Sequence, residues 1–392
     1  MKILFLAPQP FFETRGTPIN VRLILQSLSA LGHRVDLLCY PHGDDETIPG
    51  VTIHRVVNPL GVGPAPIGPS GKKIWFDLFM FPHAFWLMLT RRPQVIHGVE
   101  EAGFMAWLLA KLFRVPYVFD MDSHIADQLA TSKLPIPHWG IRLVEKMEGA
   151  ALASATRVLT VCQALSDVAA RYTTPDRIVQ IEDIPQEYPP APEGLTPASI
   201  RAELGIPADA PVALYTGNLE TYQGIDLVME AAPLVVAGAP DARIVIVGGG
   251  GEGLARYRQQ VEQAGLSSSV LFAGARPLSH MPVLYVMADV LLSPRLTGTN
   301  TPLKIYSYLA TGKAIVATDL ATHTQALTPT VAKLAPPEKV AFTDALLLLL
   351  KDRELRDSLG AAGRRLVEER YNRPIFTEKI DRLYRAIADS IH

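Results

Sequence analysis

Cations and a run of hydroxyl and amide side chains lie together in one stretch, SPRLTGTNTPLKIYSYLATGKAIVATD, residues 293–319. The stretch contains Arg295, Lys304 and Lys313, and its only carboxylate is the final Asp319. Cationic and hydroxyl donors without nearby acids suit a phosphate or another anion, because hydrogen bonds to a charged acceptor are the strong ones. We therefore predict an anion-binding site here.

The same stretch predicts how main-chain groups join this site. Gly298 gives the chain room to turn, Thr301 is a candidate N-cap, Pro302 suits the first helical turn, and Gly312 would end the helix. Main-chain N–H groups at a helix start point outward and attract anions. We expect the N–H groups of this helix start, at Asn300, Thr301 and Leu303, to converge on the anion beside the two cations, with Pro302, which has no N–H, in the same turn.

A second candidate loop follows the first predicted strand, in PQPFFETRGTPINVRLIL, residues 8–25. Thr17 is a candidate N-cap with Pro18 at the first helical position, so free N–H groups would point out of the helix start. Arg15 and Gly16 lie beside them. The pattern indicates a second anion contact, with an ordinary capped turn as the alternative.

A third loop follows the strand VALYTG in the second half of the chain. Gly217 and Gly224 bracket it, and Asn218 and Gln223 are neutral donors within it. The position suits a phosphate, although the expected cations are missing. Three helix starts directed at one place would suit a diphosphate, and the alternative is that all three are ordinary caps.

Two further motifs carry weaker signals. Asp120 and Asp122 in DMD follow a strand and could ligate a divalent cation. We expect these two carboxylates at the strand end to point to opposite faces, and no further ligands are evident, so we expect no metal. The run of glycines at residues 248–251 lacks the Lys-Ser/Thr ending of a P-loop and the spaced dinucleotide fingerprint, which predicts a flexible turn.

The elements that must position these residues alternate between strand and helix along both halves of the chain. Such alternation predicts a parallel sheet covered by helices on both faces. The predicted strands are 3–6, 35–39, 51–57, 95–97, 117–120, 157–161 and 178–181, then 212–216, 243–247, 270–272, 290–293, 314–318 and 331–334. Predicted helices include 19–31, 141–153, 339–351, 352–371 and 374–391.

A proline-rich segment, DIPQEYPPAPEGLTP, residues 183–197, predicts a linker between two domains. At 392 residues the chain is long for one hydrophobic core. We predict a Rossmann-like domain at 1–185, a second Rossmann-like domain at 186–372, and a C-terminal helix at 373–392 that packs back on the first. The predicted fold class is α/β with two doubly wound domains, and ligands of such folds bind at the carboxyl edges of the sheets, here in a cleft between the domains.

Composition excludes some functions. The net charge is −2, so no basic face makes nucleic acid the leading partner. Cys39 and Cys162 have neither metal-ligand nor disulfide spacing and indicate buried thiols of a reducing compartment. Pro8 interrupts the first apolar run, which predicts a strand rather than a signal peptide.

One apolar stretch indicates a membrane contact. KKIWFDLFMFPHAFWLMLTRR, residues 72–92, lies between the basic pairs Lys72-Lys73 and Arg91-Arg92. Its internal polar residues leave it short of a clean membrane-spanning helix. We expect a helix that is buried or rests on a bilayer, with a spanning helix as the minor alternative.

Taken together in this order and spacing, several segments resemble the nucleotide-sugar glycosyltransferases of family 4, which have the two-Rossmann GT-B fold. They include MKILFLAP…RGTPINVRLILQSLSALGHRVDLL, YTGNLETYQGIDLVMEA, RIVIVGGG, VLFAGARP, ADVLLSPR and YLATGKAIVATD. The similarity covers nearly the whole chain. It implies that the second domain binds the nucleotide-sugar donor.

The resemblance also implies donor contacts at positions where this chain has residues of a different type. In the family, the loop at 217–224 supplies an Arg and a Lys to the donor phosphates, and the later loop and helix carry two glutamates eight positions apart. The matching positions all depart from the pattern: Asn218, Gln223, Thr299 and Ser307. Ser307 can make one uncharged ribose contact, and phosphate compensation would shift to Arg295, Lys304 and Arg15.

A family histidine near the reacting carbon corresponds to Asp122, with His124 two residues further on. We expect Asp122 to lie near the anomeric carbon or a sugar hydroxyl. Asp120, His124 and Glu100 are further candidates for proton handling, with capping or solvated roles as the alternative for each.

The implied reaction is hexosyl transfer from a UDP- or GDP-linked sugar to an unidentified lipid-linked or glycan acceptor. The resemblance implies retention at the anomeric carbon without metal or cofactor, with the leaving diphosphate taking the acceptor proton. We expect a cytoplasmic protein that can contact the inner face of the membrane through residues 72–92. One alternative is a degenerate nucleotide-sugar-binding protein or partner subunit. A sugar-nucleotide 2-epimerase is a remote one, because the 299–307 loop lacks the carboxylates and histidines that it would need.

Overall fold

The computed structural model describes residues 1–13, 16–66, 68–132 and 136–390. They form two compact units: unit 1 comprises residues 1–183 and 373–392, and unit 2 comprises residues 184–372. The predicted boundary was 185/186. Unit 1 is therefore discontinuous in sequence, with unit 2 inserted between its two parts.

The elements follow one another in strict alternation through most of the chain. The strands are β1 (Lys2–Pro10), β2 (Arg34–Tyr40), β3 (Val51–Arg55), β4 (Val95–Val99), β5 (Tyr117–Met121), β6 (Arg157–Thr160), β7 (Ile178–Gln180), β8 (Val212–Thr216), β9 (Arg243–Val247), β10 (Val270–Gly274), β11 (Val290–Ser293), β12 (Ala314–Thr318) and β13 (Lys333–Ala335). The helices are α1 (Gly16–Ala30), α2 (Gly71–Arg91), α3 (Ala102–Phe113), α4 (Ile125–Thr131), α5 (His138–Ser154), α6 (Gln163–Ala169), α7 (Pro197–Glu203), α8 (Ile225–Gly238), α9 (Gly251–Gln263), α10 (Met281–Met287), α11 (Lys304–Thr311), α12 (Ala321–Thr324), α13 (Lys339–Lys351), α14 (Arg353–Arg370) and α15 (Arg373–Asp389).

Unit 1 is built on a seven-stranded parallel sheet with the order β3-β2-β1-β4-β5-β6-β7. Strands β4 and β5 are buried along their whole length because helices cover both faces. On one face, α3 packs between α2 and α5, and on the other α1 packs against α15. This arrangement follows from right-handed crossovers on either side of the β1–β4 switch point.

Helix α15 completes the core of unit 1. The Tyr384 hydroxyl lies 2.8 Å from His97 Nδ1 on β4, and Lys379 forms an ion pair with Glu182. The apolar side of α15 is buried through Phe376, Ile380, Leu383 and Ile387. A helix that follows unit 2 in sequence thus belongs to the fold of unit 1.

Unit 2 has a six-stranded parallel sheet with the order β10-β9-β8-β11-β12-β13. Helices α8 and α13 pack together, and so do α11 and α14. Both units are thus doubly wound, Rossmann-like α/β folds, which confirms the predicted fold class. Both loops that carry the anion-site residues of unit 2 leave the carboxyl ends of adjacent strands, β8 and β11.

Some local expectations were wrong. Helix α1 begins at Gly16, so Thr17 lies within the first turn and is not an N-cap. Part of the predicted linker is packed on unit 2: the Gln186 N–H donates to Ser307 Oγ at 3.1 Å, and the Tyr188 ring meets Tyr285 edge-on.

The apolar stretch 72–92 forms α2, and no helix in the described residues is long and apolar enough to cross a membrane.

Candidate functional site

Lys304 is the central cation of the candidate site in unit 2. As the first residue of α11, it extends towards the end of β8, where Nζ donates to Thr216 O at 3.2 Å and to Gln223 Oε1 at 3.3 Å. Its ammonium group also lies 4.0 Å from the centroid of the Tyr215 ring, a cation–π contact. Burial, reinforced by the charge of Arg295, lowers the pKa of Lys304 to about 7. No carboxylate among the described residues offsets this charge.

Arg295 is the second cation, and its loop holds it in place. The guanidinium donates to Thr297 O at 2.8 Å and to both oxygens of Asn300, and it lies 5.3 Å from the centroid of the Tyr222 ring. Gly298 has a φ of +123°, and a Cβ there would lie 2.2 Å from Arg295 Nη2. Only glycine leaves room for this guanidinium position.

Three glycine loops pack against one another beside these cations. A Cβ on Gly224 would lie 1.9 Å from Pro294 O, and one on Gly248 would lie 2.0 Å from Gly217 O. A Cβ on Gly217 would come within 3.4 Å of Lys304 Nζ. The residue 248–251 turn was predicted to be flexible, but its first glycine is in close backbone contact. The glycines therefore let the main chains of these loops approach one another closely beside the Lys304 ammonium.

His323, which sequence analysis missed, fixes the ends of β11 and β12. Burial lowers the pKa of His323 to about 3, so the ring is neutral. Its Nδ1 lies 2.9 Å from Thr318 O, an acceptor, so Nδ1 carries the proton and Nε2 accepts from the Ser293 hydroxyl at 2.8 Å. The Thr318 hydroxyl in turn donates to Arg295 O. A histidine just past a strand end, in TDLATHT, was the only sequence signal for this arrangement.

The predicted cap of α11 was wrong. The N-cap is Leu303, which is in the helical conformation and makes no side-chain cap bond. Thr301 is instead buried, and its Oγ1 has no partner in the described part of the chain. The loop is held by Thr322 and Gln325, which donate to Asn300 O and Thr299 O at 2.8 Å. Pro302 is buried in the same turn.

Asn218 and Ser307 are both engaged within unit 2. Asn218 Oδ1 accepts from the Glu220 N–H at 3.3 Å, and its Nδ2 lies 3.4 Å from the Tyr222 hydroxyl. The Ser307 side chain is buried, and its hydroxyl accepts the Gln186 N–H. Both side chains therefore shape the loops around the cations.

Three buried side chains of unit 1, Asp120, His97 and Tyr384, are linked by hydrogen bonds. Asp120 Oδ2 contacts His97 Nε2 at 2.9 Å, and the opposite nitrogen of that ring contacts the Tyr384 hydroxyl. His97 is stacked between Phe5 and Tyr384. The other carboxylate oxygen of Asp120, Oδ1, is buried without a partner among the described residues. These contacts fix the orientation of Asp120 and leave its buried Oδ1 without a hydrogen-bond partner among the described residues.

Asp122 joins the same side of unit 1. Its Oδ1 accepts from Asn20 Nδ2 at 3.3 Å, and the Thr17 hydroxyl also bonds to it. We expected Asp120 and Asp122 to point to opposite faces. That expectation was wrong: both contact groups on the α1–α15 face, because residues i and i+2 of an extended chain point to the same side.

The carboxyls around Asp122 raise one another's pKa values. Burial raises the pKa of Asp122 well above its usual range, and the charges of Asp120 and Glu100 add to the shift. Burial likewise raises the pKa of Asp183 to about 7 and that of Glu100 to about 7. These groups can share protons near neutral pH, which suits hydrogen-bond donation to a polyol.

His124 is separate from this cluster. It is the residue before α4, and its ring lies 2.8 Å from an Asp127 oxygen and 3.4 Å from a Glu148 oxygen. Glu148 also accepts the N–H groups of Ile125 and Ala126. The structure therefore gives His124 contacts that support the start of α4.

The remaining predictions concern the first loop and metals. Gly16 is the first residue of α1 and is exposed, whereas Arg15 lies outside the described residues. Within the described ranges, no three His, Cys, Asp or Glu side chains are placed to hold a metal ion.

Two family matches cover most of the chain. Residues 15–182 match the glycosyl transferase 4-like domain, and residues 198–366 match glycosyl transferases group 1. Among curated relatives, the phosphatidyl-myo-inositol mannosyltransferase of Mycobacterium leprae is 28% identical over 100% of this chain and 98% of its own. The D-inositol 3-phosphate glycosyltransferase of Corynebacterium glutamicum is 26% identical over 83% of this chain and 84% of its own.

Solved structures share the fold over the full length. Sucrose-phosphate synthase from Thermosynechococcus elongatus has a TM-score of 0.80 at 22% identity and covers 99% of both chains. HepE from Anabaena, solved in complex with UDP, has a TM-score of 0.74 at 16% identity over 98% of this chain and 100% of its own. The two family matches and the shared fold together show that the chain belongs to the family 4-type glycosyltransferases with the GT-B fold.

Proposed function

We propose that this glycosyltransferase transfers a sugar from a nucleotide diphosphate sugar to a hydroxyl acceptor, with retention at the anomeric carbon and without a metal. The observation that carries the proposal is Lys304, a partly buried cation that forms no ion pair with a carboxylate of the described residues. A buried charge is costly unless an opposite charge offsets it. A donor diphosphate supplies that charge, and UDP is bound by the related fold HepE.

In the proposed reaction, Lys304 and Arg295 stabilise the charge that develops on the leaving diphosphate. The bond between the anomeric carbon and the diphosphate oxygen breaks as the acceptor oxygen bonds to that carbon on the same face. The acceptor proton passes to the departing diphosphate oxygen. The neutral His323 ring keeps the Arg295 loop in place without adding a third positive charge.

The acidic cluster of unit 1 is assigned to the sugar and acceptor hydroxyls. A protonated Asp122 donates a hydrogen bond, whereas the free oxygen of Asp120 accepts one. The names of the mycobacterial and corynebacterial relatives contain inositol, a polyol. The acceptor class is therefore a lipid-linked polyol or a glycan, and the two free, buried cysteines, Cys39 and Cys162, suit a cytoplasmic location.

Binding is tested with a panel of UDP-, GDP-, ADP- and TDP-sugars, scored by the rise in melting temperature. We expect one nucleotide class to stabilise the wild type. Lys304→Met should lower the affinity for that ligand at least tenfold, because it removes the positive charge and keeps an apolar side chain over the Tyr215 ring. Lys313→Met is the matched control in the same unit and should bind normally. Equal affinity of wild type and Lys304→Met would falsify the phosphate assignment.

A second candidate is a nucleotide-sugar-binding protein without transferase activity. The observation that favours it is the internal engagement of Gln223 and Ser307, at positions where the family has charged ligand contacts. A chain that is stabilised by a nucleotide sugar, yet releases no nucleotide with inositol, inositol phosphate or glycan acceptors, would select this candidate. Nucleotide release that depends on acceptor concentration selects the transferase.

A further inference from the structure

One outer flank of unit 1 carries a large share of the exposed apolar side chains. Fifteen large hydrophobic residues are exposed in the described part of the chain, and nine of them lie on α2, α3 and α5. The three helices are 21, 12 and 17 residues long, so they form only a small part of the 392-residue chain. We call the outward sides of the three helices the apolar flank. A concentration of this kind marks an interaction surface, whereas single exposed apolar residues need no explanation.

Helix α2 is apolar on two opposite sides. Its inner side is buried and includes Phe76, Met80 and Leu87. The outer side presents Ile74, Leu78, Trp86 and Leu89, which are exposed by 51–66%. Helical spacing places these four on one side, opposite the buried residues. Asp77 does not interrupt this side, because it accepts a hydrogen bond from the Tyr40 hydroxyl in the interior.

The apolar side continues across the next two helices, because α3 packs beside both α2 and α5. Leu108 and Leu112 form an i, i+4 pair on α3. Trp139, Leu143 and Met147 follow the same four-residue spacing on α5, and Trp139 is 71% exposed. The flank is therefore a continuous apolar surface formed by three adjacent helices.

Exposed basic residues border this surface. On the three helices and their C-caps, the exposed ionisable side chains other than histidine are seven cations and one acid: Lys72, Arg91, Arg92, Lys111, Arg114, Arg142, Lys146 and Glu145. The whole chain has a net charge of −2, so this excess of positive charge is local. On α5, Arg142 and Lys146 lie one position before Leu143 and Met147, along the edge of the apolar stripe.

Tryptophan has the same distribution. All four tryptophans of the chain lie on these helices: Trp75 and Trp86 on α2, Trp107 on α3 and Trp139 on α5. Tryptophan favours the boundary between lipid headgroups and acyl chains, and lysine and arginine are attracted to anionic headgroups.

We propose that the apolar flank docks unit 1 on the surface of an anionic lipid bilayer, with the three helices lying in the interface. This inference is independent of the donor chemistry proposed above.

The proposal is tested by flotation of the full-length chain with phosphatidylcholine vesicles, with and without phosphatidylglycerol. We expect flotation with the anionic vesicles, a blue shift of tryptophan emission, and weaker binding as salt shortens the range of the charges. The emission shift reports these three helices, because they contain every tryptophan and Trp86 and Trp139 are exposed on the flank.

Matched variants separate this surface from general hydrophobicity. Leu78→Gln, Leu89→Gln, Leu112→Gln and Leu143→Gln together should weaken vesicle binding at least tenfold. The control combines Leu234→Gln, Val286→Gln, Val340→Gln and Leu348→Gln, four exposed helical positions of unit 2, and should bind like the wild type. A further variant, Arg142→Glu with Lys146→Glu, should lose the preference for anionic vesicles. The melting temperature and circular dichroism spectrum of each variant report whether its fold is intact.

Three results overturn the proposal. The wild type stays in the aqueous phase with anionic vesicles, or the flank variant binds them as tightly as its control. The third result adds an observation to the first. The wild type does not bind vesicles and forms a dimer in sedimentation experiments, whereas the flank variant is a monomer. That result would assign the flank to contact between two copies of the chain.

Discussion

The ammonium nitrogen of Lys304 lies 3.3 Å from the amide oxygen of Gln223. The resemblance to family 4 implies a phosphate-binding cation at the Gln223 position. In this chain the side chain there is neutral and accepts a hydrogen bond from Lys304, the first residue of α11. The cation beside the Gly217 loop is thus supplied by α11, and Gly217 is closely packed against Gly248.

Restoring the family cation should therefore destabilise the free protein. In Gln223→Lys, a second ammonium group meets Lys304 in a buried place, and the Gln223 acceptor is lost. We expect the free energy of unfolding to fall by about 1–3 kcal/mol. A nucleotide sugar should raise the melting temperature of this variant more than that of the wild type, because its diphosphate relieves the repulsion. Gln223→Met, which removes the acceptor without adding charge, should show a smaller loss and no enhanced ligand effect.

The affinity for a nucleotide sugar should depend on pH through Lys304. Its pKa in the free protein is lowered by burial to about 7, so the ammonium form is progressively lost above that pH. An anion binds the charged form, so affinity should fall by up to about tenfold per pH unit above 7. A nucleotide sugar is the right probe because its diphosphate has no free terminal phosphate to titrate in this range. Titration calorimetry should find a flat profile for Lys304→Met.

The same shift gives a stability trend of opposite sign. The folded protein binds fewer protons at Lys304 than the unfolded chain between pH 7 and the ordinary lysine pKa, so this residue makes the apoprotein more stable as pH rises through that window. Ligand affinity and apoprotein stability should thus move in opposite directions. A parallel fall of both would contradict the assignment to Lys304.

Gly298→Ala should impair the site through Arg295. The added methyl group would lie 2.2 Å from Arg295 Nη2, and the backbone has a φ of +123°. We expect at least a tenfold loss of nucleotide-sugar affinity and about 1–3 kcal/mol of unfolding free energy. Gly265→Ala is the matched control: its φ is +69°, but nothing lies within 4 Å of the new methyl group. The control should lose stability without losing affinity.

Asp183→Asn should change how stability depends on pH. Burial, followed by the charges of Asp120 and Glu182, raises the pKa of Asp183 to about 7. A carboxyl with a raised folded-state pKa stabilises the fold below its unfolded pKa, and that contribution is lost as pH rises from about 4 to 7. The variant should therefore melt about 2–4 °C higher than the wild type at pH 8, with a smaller difference at pH 5. Identical melting curves at both pH values would refute this explanation.

Much of the fold was predictable from sequence because its strands are buried on both faces. The bounds predicted for β8, β9, β11 and β12 agree with the structure, and each is a continuous apolar run that ends at a polar or glycine-containing loop. Helix starts were harder. Pro302 carries a first-turn signal, but contacts of Asn300 with Arg295 and Thr322 hold the chain in a loop for two further residues.

The candidate site was predictable in composition but not in its contacts. The sequence indicates that Arg295 and Lys304 belong to an anion site, because both lie near a helix start without acids. It does not show that Gln223 positions Lys304, since the two are 81 residues apart. His323 was missed for the same reason: its role depends on Ser293 and Thr318, which only the packing of β11 beside β12 brings together.

The return of α15 to unit 1 sets an order of assembly on the ribosome. Phe376, Ile380, Leu383 and Ile387 enter the core of unit 1, but they are synthesised only after every residue of unit 2. The first 183 residues therefore emerge without Tyr384, the partner of His97. Unit 2 can therefore complete its core while unit 1, most of which was synthesised earlier, still lacks α15.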